Sequence, residues 1–340
     1  MLSRDIILEI DNLVTSFDTE AGRIRAVDQV SFTVAKGRTL GVVGESGCGK
    51  SVTALSIMRL LPKPSGVIEA GKILFYGEDL AGISATEMRR IRGKKISMIF
   101  QEPMTALNPV HRIGRQIEEV FQLHFPKMGK PETRKKIIQA LKDVGISDPD
   151  KRIHEYPHQI SGGMRQRVMI AMALACRPDV LIADEPTTAL DVTIQAQILD
   201  LIARLQKEIN MSVILITHDL GVIAEICDDV LVMYAGKVAE TAPVLSLFEN
   251  PAHPYTRGLL SSIPRLEIPR KTRLPIIRGM VPSLHELPQG CRFQNRCPEV
   301  MNICKTEPPD MIPVGENHSA ACYLHAAGQS GKEQGNPVSS

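Results

Sequence analysis

Tryptophan is absent from the 340 residues, and aromatic side chains make up only 4% of them. Base stacking needs aromatic faces, so a platform for single-stranded nucleic acid is not expected. Charge of one sign is also lacking: 40 Lys and Arg stand against 38 Asp and Glu, a formal net charge of +2. That balance gives no electrostatic case for nucleic acid as a partner, and any phosphate recognition has to be local. Long apolar runs are missing too. The longest uncharged apolar stretch, Val168 to Cys176, is far shorter than the roughly 20 residues that cross a bilayer. The start, Met1-Leu-Ser-Arg-Asp-Ile-Ile, has no apolar core of a secretory signal. The expectation is a cytoplasmic chain that meets a membrane only through partners.

What is present is ample for folding, since 43% of the residues are hydrophobic. The length exceeds what one core usually organises, so a large domain with an appendage is expected. Alternation over Ile7 to Ile10 and Val30 to Val34 predicts two strands of an antiparallel layer, with Thr19 to Arg25 as the loop between them. Thr39 to Val43 reads as a short buried strand and Thr53 to Leu61 as the helix after it. Gly71 to Gly77 and Ile96 to Phe100 read as further strands. Ile113 to Val144 carries helix periodicity, broken at Pro126 to Pro131. Buried strands return at Val180 to Ala183 and Val213 to Ile216, around a helical stretch from Thr193 to Glu208. Such alternation predicts an α/β fold with a mainly parallel sheet. After Tyr255 the composition shifts: prolines recur, and four of the seven cysteines lie between 291 and 322. A small loop-rich domain is expected there, ending in a polar, disordered tail.

The most informative run is Gly44-Glu45-Ser46-Gly47-Cys48-Gly49-Lys50-Ser51, which satisfies the phosphate-binding pattern G-x-x-x-x-G-K-S/T at every fixed position. Glycines let the backbone wrap a phosphate, successive amides point inward, and the following helix presents its positive end. Lys50 would supply a charge to the β- and γ-phosphates and Ser51 a hydroxyl to Mg²⁺, with Val52 beside them. Val180-Leu181-Ile182-Ala183-Asp184-Glu185 is an apolar strand ending in two acids, which delivers both to the carboxyl edge of the sheet. Asp184 would hold the metal through its water shell, and Glu185 would polarise the attacking water.

Just ahead of those acids, Ile160-Ser161-Gly162-Gly163-Met164-Arg165-Gln166-Arg167 resembles the signature motif of ATP-binding cassette (ABC) transporter ATPases. Gln101 resembles the family's lid glutamine, Ala189-Leu190-Asp191 the loop after the acids, and Thr217-His218-Asp219 the switch histidine. Phe17 sits where the family places an aromatic under the adenine. The resemblance implies an ABC-type ATPase core, with ATP and Mg²⁺ as ligands. It further implies that Ser161, Gly162 and Gly163 close over ATP held by a second ATPase subunit, that Gln101 senses Mg²⁺ or the lytic water, and that His218 contacts the γ-phosphate. Met164 departs from the usual glutamine of that motif. Asn250-Pro-Ala-His-Pro-Tyr-Thr-Arg-Gly-Leu-Leu260, Tyr156-Pro-His-Gln159 and the cysteine-bearing tail are similar to the oligopeptide/dipeptide importer branch, whose nickel-importing relatives share much of the pattern. Implied partners are a second ATPase subunit, two membrane permeases that meet the helical insert near 102–125, and an extracytoplasmic binding protein. The implied location is the cytoplasmic face of the membrane.

On these grounds residues 1–255 are expected to form the ATPase domain, with a helical subdomain at about 101–170, a C-terminal domain at 256–326 and a tail at 327–340. Cys291, Cys297, Cys304 and Cys322 lie in a segment too poor in apolar residues for a large core, where a bound metal would compensate. A cytoplasmic setting argues against disulfides, and four thiolates suit either zinc or a four-iron, four-sulfur (4Fe-4S) cluster. Similar cysteines in the importer branch are associated with the cluster. Two other readings stay open: import of nickel or another metal chelate by the same machinery, and a non-transport ATPase acting on ribosomes or DNA. The second predicts two linked cassettes or a coiled-coil insertion, and this chain has neither.

Overall fold

The computed structural model describes residues 5–101, 107–187, 191–263 and 275–328. Strands β1 (Ile6–Thr19) and β2 (Gly22–Ala35) run antiparallel and are joined by two residues. The expected loop from Thr19 to Arg25 is therefore a continuation of both strands, with Phe17 opposite Ile24 and Thr19 opposite Gly22. Cross-strand charge disguises it in the sequence: Arg23 pairs with Asp18 at 2.7 Å and with Glu69 at 3.3 Å, and Arg25 pairs with Glu69 at 3.1 Å. β4 (Gly66–Phe75) lines the other side of β1, and the short β5 (Glu78–Asp79) completes a four-stranded sheet.

The second sheet has eight strands. Its parallel part contains β6 (Ile96–Ile99), β7 (Val180–Asp184), β8 (Ser212–Ile216), β3 (Thr39–Val43) and β9 (Asp229–Tyr234), in that spatial order. Every residue of β3, β7 and β8 is buried, the pattern of a parallel sheet covered on both faces. One face packs against the first sheet through Val42, Ile182, Ile214 and Leu231, which meet Leu8, Ile10, Phe32 and Ile73. The opposite face is covered by helices.

Helix α1 (Lys50–Ile57) begins three residues before the expected Thr53 and stops at Ile57. Gly49, at φ 103, starts it, and Arg59, at φ 51, lies just beyond its end. After α2 (Ala85–Ile91), the insert is built from α3 (Ile113–His124), α4 (Lys130–Asp143), the short α5 (Pro149–Arg152) and α6 (Gly162–Leu174). The expected break falls at 125–129, and Pro131 sits in the first turn of α4, where its missing N–H is harmless. Beyond β7 come α7 (Val192–Ile209) and α8 (Leu220–Ile226). Among the described residues no helix is long and apolar enough to cross a membrane.

Strand β10 (Lys237–Pro243) pairs antiparallel with β9, and the sequence reading assigned neither. α9 (Val244–Glu249) and α10 (Pro254–Ser261) follow. The cysteine-bearing segment is loop-rich, with one short helix α11 (Ile303–Thr306), and its strands β11 (Ile312–Gly315) and β12 (His318–Ala320) join the edge of the core sheet beside β10. Two clusters weld it there. Tyr234 packs edge to face on Tyr255 and Phe293 at centroid distances of 4.7 and 5.2 Å, and Tyr255 meets Phe293 tilted at 5.4 Å. Glu240, fully buried, accepts from the amides of Ala252 and His253 at 2.7 and 2.8 Å and lies 2.7 Å from His318 Nε2. The tail expected from 327 lies outside the described residues from 329 onward.

Candidate functional site: a phosphate loop at the centre of the sheet

β3 is flanked by β8 and β9, so the loop that follows it emerges at the middle of the sheet's carboxyl edge, the place where open α/β sheets bind ligands. The loop's glycines are structurally required. A Cβ on Gly49 would sit 2.6 Å from the Ala26 carbonyl oxygen, and one on Gly44 would collide with the Met233 carbonyl. The tip is different: Ser46 and Gly47 are exposed, and a Cβ on Gly47 would meet nothing within 4 Å. The loop is packed behind and open in front, as a phosphate cradle needs to be.

Lys50, only 7% exposed, donates from Nζ to the carbonyl oxygens of Gly44 at 2.7 Å and Glu45 at 3.1 Å, with the Cys48 sulfur 3.7 Å away. These acceptors are carbonyls and a thiol, and an ammonium so placed is suited to an arriving polyphosphate. Cys48 is buried, and burial raises its pKa, so it acts as a neutral packing residue behind the lysine. Ser51 donates from Oγ to Asp184 Oδ1 at 3.1 Å. Hydroxyl and carboxylate thus already stand together as the expected Mg²⁺ pair. Burial holds the Asp184 carboxyl above its usual range, partly opposed by the Ser51 hydrogen bond. Val52 is half-buried in the first turn of α1.

The residue after Asp184 is conformationally unusual. Glu185 has φ 46, a left-handed conformation that costs a non-glycine residue energy and that concentrates at functional sites. Its amide donates to the Ile216 carbonyl at 2.9 Å, which aims the side chain out of the sheet edge. Gln101 Nε2 donates to Glu185 Oε2 at 2.9 Å, and His218 Nδ1 lies 3.5 Å from Glu185 Oε1. The structure therefore gathers Gln101, Glu185 and His218 from the ends of three strands, β6, β7 and β8. Asp219 caps α8 by accepting from the amides of Gly221 and Val222, which fixes the turn carrying His218.

Ser161 stands apart from this group. It caps α6, its Oγ accepting from the Met164 amide at 3.3 Å, and both Ser161 and Gly162 are exposed. A Cβ on Gly162 would meet open space. Met164 packs against the helical core, which explains how an apolar residue is tolerated there. Gln166, quoted in the motif without a role, is buried and donates to the Pro186 carbonyl, so it ties the signature helix to the segment following Glu185. Of the loop 189–191 only Asp191 lies within the described residues, as the cap of α7, accepting from Ile194 N at 3.0 Å. Phe17 is half-buried on β1, opposite Gly66.

Cys291, Cys297, Cys304 and Cys322 all border one small cavity, and the Cys291 amide donates to the Cys304 carbonyl at 2.8 Å. Burial, with the neighbouring thiols adding to it, pushes the Cys291 pKa up to about 11. Among the described residues, however, no three His, Cys, Asp or Glu side chains are disposed to hold a metal ion.

A cradle at a sheet centre, a lysine within it and paired acids at the next strand end define a P-loop nucleoside triphosphatase. Its family follows from comparison. Residues 27–188 match the family described as ABC transporter, and residues 239–304 match that described as oligopeptide/dipeptide transporter, C-terminal region. The chain is 53% identical over 318 residues to the dipeptide transport ATP-binding protein DppD of Bacillus subtilis, covering 94% of each. It is 52% identical to the probable peptide ABC transporter ATP-binding protein y4tR of Sinorhizobium fredii, covering 94% of this chain and 95% of that one. The dimeric, post-hydrolysis ATP-binding cassette MJ0796 with ADP and phosphate superposes with a TM-score of 0.62 at 26% identity, covering 70% of this chain and 98% of that one. The chain belongs to the ATP-binding proteins of ABC transporters.

Because burial raises the Asp184 pKa above that of the unfolded chain, the folded form holds the proton more tightly, and stability falls as pH rises through that window. Asp184→Asn is expected to raise the melting temperature of nucleotide-free protein at pH 7 by about 1–3 °C while abolishing Mg²⁺-dependent turnover. Calorimetry across pH checks this: the gain should fade below the ordinary carboxylate range, and a gain persisting in acid would place its origin elsewhere.

Proposed function

We propose that this chain is the ATP-binding and ATP-hydrolysing subunit of a membrane importer of di- or oligopeptides. The observation that carries the reading is the pairing, in one chain, of the assembled Lys50, Ser51, Asp184 and Glu185 site with a C-terminal segment matched to oligopeptide/dipeptide transporters. Lys50 and the amides of Gly44 and of Ser46 to Gly49 bind the phosphates, and Phe17 lies under the adenine. Ser51 and Gln101 would hold Mg²⁺, with Asp184 behind its water shell, and the ion would supply positive charge beside the transferred phosphoryl group. Glu185, oriented by Gln101 and His218, polarises the attacking water, and His218 contacts the γ-phosphate.

Ser161, Gly162 and Gly163 complete the site of a partner. At the start of a helix, with Ser161 and Gly162 exposed and Gly163 half-buried, they offer a hydroxyl and amides to a phosphate held by a second ATPase subunit. ATP is then shared between two molecules, and losing the γ-phosphate removes the strongest charge-assisted contacts, so the pair opens. That opening works two membrane permeases, fed by an extracytoplasmic binding protein, from the cytoplasmic face. Residues 1–255 form the ATPase domain with its helical subdomain at 101–170, and residues 256–326 the importer-type extension. The stretch 102–106 of the permease-facing insert lies outside the described residues.

We assign a 4Fe-4S cluster, rather than zinc, to Cys291, Cys297, Cys304 and Cys322. What supports this is four thiols on one cavity in an apolar-poor segment. The preference over zinc rests on the likeness of these cysteines to those of the importer branch, and the cluster's role would be to brace the segment.

Glu185→Gln is expected to abolish turnover while retaining ATP binding and accumulating an ATP-bound dimer with the partner subunit, read by hydrolysis assay and light scattering. Unchanged turnover would remove Glu185 from the chemistry. Protein purified without oxygen should contain iron and acid-labile sulfide and absorb in the visible; a colourless protein carrying one zinc would refute the cluster.

A further inference from the structure

Glu45 occupies a variable position of the phosphate loop, and Arg296 lies between two of the cysteines, 251 residues away in sequence. The structure joins them. Arg296 Nη1 and Nη2 donate to the two carboxylate oxygens of Glu45 at 2.6 and 2.9 Å, a bidentate pair made by a side chain only 3% exposed. Arg296 is itself immobilised. Its Nε donates to the Arg278 carbonyl at 3.0 Å, Nη2 to the Ile277 carbonyl at 3.4 Å and Nη1 to the Tyr234 hydroxyl at 3.3 Å. The guanidinium also lies 5.7 Å from the Tyr234 ring centroid and 6.0 Å from that of Phe293.

Glu45 is gripped a second time. Its amide donates to the hydroxyl of Tyr255, a fully buried side chain, at 2.8 Å. Its remaining backbone group, the carbonyl, accepts from Lys50 Nζ at 3.1 Å. So one residue links the C-terminal extension to the lysine that binds phosphate: side chain to Arg296, amide to Tyr255, carbonyl to Lys50. Ser46 and Gly47, next along the chain, are the open part of the cradle. A shift of Glu45 would move the very carbonyls that position the lysine.

We infer that Arg296 and Tyr255 are positioning residues for the nucleotide site: through Glu45 they hold the phosphate loop in its binding shape, so the cysteine-bearing extension sets ATP affinity. Arg296 does not touch the reacting atoms. Its effect falls on binding and leaves the chemistry at Glu185 alone. An ordinary packing ion pair in the same place would change thermal stability without changing affinity for ATP.

The test uses the full chain, with calorimetric titration of MgATP and melting temperature on the chain alone, and the hydrolysis rate at saturating ATP with its partner ATPase subunit present. Glu45→Gln and Tyr255→Phe preserve shape and keep the fold testable, while Arg296→Lys keeps the charge but loses the fork. Each is expected to weaken MgATP binding by about five- to 50-fold with the saturated rate within about twofold of wild type. Combining Arg296→Lys with Glu45→Gln should weaken binding no further than the worse single change, because one linkage is broken in both. Wild-type binding serves as the control for the nucleotide site itself. Unaltered affinity in all three variants, with only the melting temperature lowered, would overturn the inference, as would effects that multiply in the double variant.

Discussion

A buried ammonium is the constraint around which this molecule is arranged. Lys50 cannot be withdrawn from water unless its hydrogens are met, and here two loop carbonyls and a thiol meet them. That demands a backbone folded back over the lysine, hence glycines where Ala26 and Met233 approach too closely for a side chain. It also demands a rigid base, which the fully buried β3 supplies from the middle of the sheet. The strands on one side, β8 and β7, then deliver His218 and the acid pair to the same edge. On the other side, β9 and β10 carry the extension, whose Phe293 packs on Tyr234 and on Tyr255, the residue that holds the Glu45 amide.

The same fold carries the signature run on a different element. The groups that hold phosphate and metal converge at the sheet edge, whereas Ser161 caps a helix of the insert and is exposed. Gln166 connects that helix to Pro186, the residue after Glu185, through a buried hydrogen bond.

Much of the nucleotide site was legible in the sequence because its residues are local: the loop, the acid pair after an apolar strand and the Thr217-His218-Asp219 turn each lie within a few positions. Their companionship in space follows from parallel strands that end at one edge. The hairpin at Thr19 to Arg25 was misread because its exposed faces carry arginines and acids, and the signals of a loop and of a solvated ribbon are alike. β9 is almost wholly buried and β10 only partly, so neither shows a clean alternation in the sequence. Glu45 and Arg296 were beyond any local reading, since nothing in either neighbourhood announces a partner 251 residues distant. Tyr255 was visible as part of a family-like motif, but its contact with the loop amide was not.

The division of the site between two molecules is tested most directly by Ser161→Arg in the full chain, mixed with its partner ATPase subunit and followed by light scattering and nucleotide titration. Arginine at that exposed cap should leave MgATP binding to the isolated chain unchanged while eliminating MgATP-dependent association. Loss of ATP binding by the isolated chain, or association that persists undiminished, would contradict a shared site.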